Sequence, residues 1–255
     1  MDAVINMTDF KWIMMITLLS AAGLAQAGEV KVAVASNFYK PMLQLAKEFE
    51  QATGNRVMLS AGSTGTLYAQ IKNGAPFEVF LAADQRRPKA LENEKLAVNG
   101  SHFTYAQGQL AFWSKNGGYK TQQDFIDAIS QVAHIAIANP KNAPYGAATI
   151  DTIKKLDMYE KAQPKIVEGH NIGQTYQYIS SENVSCGFVA LSQVYQKGKI
   201  TEGSAWLVPS NLHRALKQDA VLLNQGESND VAKSLLEFLQ SEPAKRTIRS
   251  FGYKI

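Results

Sequence analysis

Val30-Lys-Val-Ala-Val-Ala-Ser-Asn-Phe38 carries a short β-branched strand straight into two small polar residues, and a helical pattern follows at once. From Tyr39 to Ala52 the apolar residues Met42, Leu43, Leu45, Ala46 and Phe49 recur at the spacing of one helix face, with Pro41 tolerable in the first turn. The same junction returns three times. Ser60-Ala-Gly-Ser-Thr-Gly65, Asn142-Ala-Pro-Tyr-Gly146 and Glu168-Gly-His-Asn-Ile-Gly173 each set Gly, Ser, Thr or Asn just ahead of a helical stretch. A helix start exposes unpaired N–H groups and a partial positive charge, so it seats an anion. Four such seats, rich in hydroxyls and poor in charge, point to capture of a small oxyanion without chemistry on it.

Outward from these junctions, strands alternate with helices. Arg56–Ser60, Val79–Ala83, His134–Ala138, Ser185–Ala190 and Gln218–Leu223 read as buried strands. Leu67–Asn73, Asp124–Ile129, Ala147–Leu156, Gly173–Ser180, Asp230–Leu239 and Ala244–Phe251 read as helices. This βαβ rhythm predicts an α/β fold with largely parallel sheets covered on both faces. The rhythm changes near Tyr105, before the strand Gln109–Trp113, which suggests that the chain there leaves one sheet for another.

The first 27 residues read as a secretory leader. Lys11 precedes the apolar run Trp12–Leu19, and Ala25-Gln-Ala27 fits the small-x-small cleavage rule, although Asp2 and Asp9 make the start poorly basic and Met7 offers a second start. The run is short for a membrane span. Without Lys11, Asp2 and Asp9 the chain keeps 25 basic and 20 acidic residues, so its net charge moves from +4 to +5. These charges are dispersed, whereas nucleic-acid binding needs a concentrated basic face. The lone Cys186 excludes an intramolecular disulfide and lies in an apolar strand, as a buried small side chain would. His102, His134, His170 and His213 show no metal-ligand spacing, and neither a Walker A loop nor a G-x-S-x-G elbow is present.

Taken together, Ala33-Val-Ala-Ser-Asn37, Ala61–Ile71, Gly74–Gln85 and Gln218–Leu223 resemble, in order, the blocks of the periplasmic molybdate-binding proteins of ABC importers. The resemblance covers nearly the whole chain after the leader. It implies a two-lobed, type II periplasmic-binding fold: each lobe a mixed, mostly parallel sheet flanked by helices, with the ligand in the cleft between them. The lobes would comprise residues 28–106 with a return segment 206–255, and residues 107–205. The resemblance further implies a periplasmic, monomeric receptor without enzymatic activity or cofactor, which takes molybdate or tungstate and delivers it to a membrane permease. Matched loop by loop, the ligand residues would be Ser36, Thr64, Tyr145 and Ile172, with Asn37 and Ser63 as neighbouring candidates. Many members carry a ligand tyrosine where this chain has Ala190. Tyr145, where they carry a small residue, would supply the replacement hydroxyl.

Each of these residues has an ordinary structural role open to it. Ser36 and Asn37 could simply cap a helix, and Ser63 and Thr64 could shape a turn. A receptor for sulfate, a phosphonate or another small organic anion stays open, as does a sensory binding module docking to a membrane receptor. A secreted serine hydrolase using Ser36 or Ser63 would need His170 as its base.

Overall fold

The computed structural model describes residues 27–255; the expected leader lies outside them apart from Ala27, which is exposed. From there β1 (Glu29–Ala35), α1 (Tyr39–Thr53), β2 (Arg56–Gly62), α2 (Thr64–Lys72), β3 (Val79–Leu81), α3 (Arg86–Asn93) and β4 (Phe103–Gln107) follow in turn. Next come β5 (Leu110–Ser114), α4 (Gln122–Gln131), β6 (Ile135–Ala138), α5 (Pro144–Lys155), α6 (Tyr159–Ala162), β7 (Ile166–Gly169) and α7 (Ile172–Ser180). After β8 (Gly187–Ala190) and α8 (Leu191–Val194), the hairpin β9 (Tyr195–Gln196) and β10 (Lys199–Ile200) leads to β11 (Ser204–Leu207). The chain ends with β12 (Lys217–Leu222), α9 (Asp230–Gln240) and α10 (Glu242–Ser250).

Two mixed five-stranded sheets result, ordered β2-β1-β3-β12-β4 and β11-β5-β8-β6-β7. In the first, β1 runs parallel to β2 and β3, and β12 is antiparallel to both β3 and β4. In the second, β6 runs parallel to β7 and β8, and β5 is antiparallel to β8 and β11. Four of the five strands in each sheet therefore point one way, as the βαβ rhythm predicted.

Apolar clusters cover both faces of each sheet. Val30, Val32 and Val34 of β1 pack against Met42, Leu45 and Phe49 of α1 and Leu235 of α9, while Ala33 and Phe80 face Leu67, Ile71 and Leu91 on the other side. Leu43 departs from the expected helix face and lies exposed. In the second sheet Phe112 and Phe188 meet Phe125 of α4, and Trp113 and Val189 meet Ile179 of α7. Fully burying such side chains contributes roughly 1.5–3 kcal/mol each. Cys186 is wholly buried in this core, and burial pushes its thiol pKa up, so it is an unreactive packing residue.

The chain changes sheets between Gln107 and Leu110 and changes back between Leu207 and Lys217. The return expected from residue 206 therefore comes later. Trp206 and Leu207 pair with Phe112 and Ala111 in the second sheet, and the Trp206 ring stacks on Phe125 in its core. At the crossing, Gln107 exchanges backbone hydrogen bonds with Lys254, and the Gly108 N–H donates to Leu216 O at 2.9 Å. Three stretches of chain thus run side by side at the crossing.

Candidate functional site

The four junctions singled out from the sequence sit at equivalent ends of strands. Ser36 opens a 3-10 turn, Ser36–Phe38, that passes from β1 into α1. Ser63 ends the loop after β2 and caps α2, its Oγ accepting from the Thr66 N–H at 3.2 Å, so Thr64 becomes the first helical residue. After β6, Pro144 opens α5 and sets Tyr145 in its first turn, where proline's missing N–H is no loss. After β7, Asn171 caps α7 by accepting from the N–H groups of Gly173 and Gln174 at 2.9 and 3.0 Å, which leaves Ile172 as first helical residue. In α/β sheets such strand ends are where ligands bind.

Ser36, Asn37, Ser63, Thr64, Tyr145 and Ile172 all line one small cavity, of about 10 Å³, together with Ala35, Gly62, Ala83, Ala143 and Pro144. No charged side chain belongs to its wall. Two lobes contribute to it, so opening the cleft would take the cavity apart. Ala190 is fully buried and is not part of the wall.

Hydrogen bonds decide what each group can still offer. Thr64 Oγ1 accepts from the Ala83 N–H at 3.0 Å and so retains its own proton to give. Ser36 Oγ donates to Gly62 O at 2.9 Å. The first-turn N–H of Ile172 has no acceptor within its own helix. Asn37 differs from its neighbours: its amide Nδ2 donates to Gln218 Oε1 at 2.8 Å and to Tyr253 Oη at 3.0 Å, so the side chain is committed behind the cavity.

That commitment belongs to a buried polar network the sequence did not reveal. Gln218 Oε1 accepts from Asn37 and from Tyr105 Oη at 3.1 Å, which turns Gln218 Nε2 toward Tyr145 Oη, 3.2 Å away. Ser192 Oγ and Tyr253 Oη both donate to Asn37 O, at 2.7 and 2.9 Å. Tyr145 therefore accepts from Gln218 and keeps its proton. Burial pushes the phenol pKa values of Tyr105, Tyr145 and Tyr253 up, so all three stay protonated. Gly108 is needed here for close approach, because a Cβ on it would lie 2.0 Å from Tyr145 Oη. The only hint in the sequence was Gln218-Asp219, a polar pair opening an apolar strand.

The lobes touch across the cleft. The Gly65 N–H donates to Asn142 O at 2.9 Å, and Arg87, paired with Asp84 on its own lobe, donates to Lys141 O at 3.4 Å. A Cβ at Gly65 would stand 3.0 Å from Asn142 O, so a side chain there would hold the lobes apart. Among the described residues no cluster of His, Cys, Asp or Glu could hold a metal cation.

Residues 30–254 match the family of bacterial extracellular solute-binding proteins. The chain belongs to that family. Over 229 residues it is 48% identical to the molybdate-binding protein ModA of Azotobacter vinelandii, covering 90% of this chain and 91% of that one. It is 45% identical to the ModA of Rhodobacter capsulatus over 229 residues, 90% of this chain and 89% of its relative. Among solved structures, the periplasmic molybdate-binding protein of Azotobacter vinelandii superposes with a TM-score of 0.84 at 38% identity, covering 89% of this chain and 99% of that one. The two-lobed solute-binding architecture is thus common to the chain and its relatives.

Proposed function

We propose that this chain is a periplasmic receptor that closes on molybdate or tungstate and delivers the anion as a monomer to the permease of an ABC importer after its leader is cut behind Ala27. One observation carries the reading: helix starts from both lobes converge on a single cavity whose wall holds hydroxyls and backbone N–H groups and no charge. A tetrahedral dianion whose oxygens only accept hydrogen bonds matches such a wall. Fixed dipoles stabilise it without a counter-ion that must itself be desolvated. Each hydrogen bond to a charged acceptor contributes about 1.5–3 kcal/mol, and several together offset lost hydration.

Sulfate has the same charge and shape but is smaller, so donors spaced for molybdate would leave it underpaired. Phosphate carries a proton near neutral pH and needs an acceptor. The one carboxylate within the four junctions, Glu168, accepts from Asn139 Nδ2 at 2.7 Å, Asp84 beside the wall residue Ala83 is paired with Arg87, and both lie outside the wall. A hydrolase reading finds little support, since Ser36 Oγ gives its proton to a backbone carbonyl and no imidazole hydrogen-bonds to it among the described residues.

Calorimetric titration of the protein stripped of anion tests the reading. Molybdate and tungstate should bind tightly with one site per chain, and sulfate should fail to displace them. Heat from sulfate alone, or from none of the three, would refute it.

A further inference from the structure

Two recesses flank the cavity and share residues with its wall, and their chemistry differs. On one side lies a wide recess of about 490 Å³ lined by Ser36, Tyr39, His170, Asn171, Gln174 and Gln177, without a lysine, arginine or carboxylate. On the other lies a recess of about 350 Å³ that shares Ala83, Ala143 and Pro144 with the cavity wall. Five cationic residues line it: Arg86, Arg87, Lys141, Arg214 and Lys217. Two are neutralised locally, Arg87 by Asp84 and Arg214 by Asp151. Arg86, Lys141 and Lys217 are exposed and have no carboxylate within ion-pair distance among the described residues. They come from α3, from the loop before α5 and from the start of β12, so both lobes contribute.

We infer that this basic recess is the antechamber through which a dianionic tetrahedral oxyanion reaches and leaves the cavity, with Arg86, Lys141 and Lys217 as its steering residues. The inference rests on the oxyanion-receptor reading above. Space alone would favour the wider flank, but a dianion responds to charge before it responds to width. A cleft lined by one sign of charge raises association rates about 10- to 1,000-fold. Lining one recess, the three exposed cations act on an entering anion over a Debye length of about 10 Å at 0.1 M salt, so their pull should weaken as salt rises. The division of labour is physically sensible. Cations inside the cavity would oppose release, whereas cations outside it speed encounter and leave the closed complex to neutral donors.

Stopped-flow tryptophan fluorescence with molybdate, in the second-order regime and across ionic strength, tests this on the full mature chain. The triple variant R86Q/K141Q/K217Q should associate about tenfold more slowly at low salt, with a flattened salt dependence and a dissociation rate within about twofold of the parent. Gln177→Trp, which narrows the neutral flank, should leave the association rate unchanged. Parent-like association and salt slope in the triple variant would overturn the inference, as would slowing by Gln177→Trp. These outcomes leave the receptor reading intact, because both require an unmodified protein that binds. If calorimetry shows that the unmodified protein binds no oxyanion, the receptor reading falls and the antechamber with it.

Discussion

The two lobes share one plan and meet the cavity with different chemistry. Each sheet places its first parallel strand beside its second and third, with an antiparallel strand next and a fifth beyond it. In each lobe the helix starts that line the cavity follow the first and second parallel strands: α1 and α2 in one, α5 and α7 in the other. The first lobe brings small hydroxyl residues, Ser36, Ser63 and Thr64, whereas the second brings Tyr145 and the apolar Ile172. Topology thus sets where four dipoles converge. Side chains set which protons are available once they do, so the first lobe should act through side chains and the second largely through backbone.

The sharpest way to break that contrast is Ile172→Pro. Asn171 before it is extended, and proline suits a first helical position, so the helix should persist without this one N–H. Affinity for molybdate should fall about 100-fold, the upper part of the range for one charge-assisted hydrogen bond. Ile172→Ala, which keeps the N–H, should stay within about threefold of the parent. Equal losses in the two variants would show that the side chain matters, and the lobes would then not differ as argued.

In the first lobe the order should run the other way, with side chains decisive. Thr64→Val removes a hydroxyl whose proton is free and should weaken binding about 30-fold, with some loss of stability because the Ala83 N–H loses its acceptor. Ser36→Ala removes a hydroxyl that already donates to Gly62 O, so the loss should be nearer tenfold. Titration of both variants checks the ranking, and a Ser36→Ala loss larger than that of Thr64→Val would reverse it.

The contrast also explains what could be read from the chain alone. Strong β-branched runs such as β1 and sharp helix-start chemistry such as Ser63-Thr64 are local signals, and all six residues named from the loops line one cavity. Elements without a local signal were not foreseen. β7, Ile166–Gly169, is a four-residue edge strand without alternation, and β11 is an equally short edge strand whose pairing depends on β5, some ninety residues earlier in the chain. The late return to the first sheet follows from that same long-range pairing. Asn37 illustrates the limit at the site itself. Its position was legible, but the direction of its amide depends on Gln218 and Tyr253, far away in sequence.

Tyr145→Phe probes the one hydroxyl-bearing residue that the second lobe sets in the cavity wall. It should weaken molybdate binding about tenfold and also leave Gln218 Nε2 without an acceptor, a loss of about 1–3 kcal/mol in stability. Unchanged affinity with lowered stability would assign Tyr145 to the buried network alone and leave the second lobe's contribution entirely to backbone.

The smallest expected effect is on pH dependence, and its sign follows from burial. Tyr105, Tyr145 and Tyr253 have raised pKa values in the folded protein because burial disfavours the phenolate, whereas in the unfolded chain they ionise near pH 10. Their contribution to stability is therefore complete below about pH 10 and lost as pH rises above it, by about 1.4 kcal/mol per pH unit for each group that ionises only when unfolded. Thermal unfolding should be level from about pH 7 to pH 9 and decline beyond about pH 10, with Tyr145→Phe showing the shallower alkaline decline. Molybdate affinity should be level over the same neutral range, since no donor in the cavity wall changes its protonation there. Affinity that falls between about pH 7 and pH 9 would mean that Tyr145 ionises in the open protein, and the second lobe would then present a charge where the closed cleft presents none.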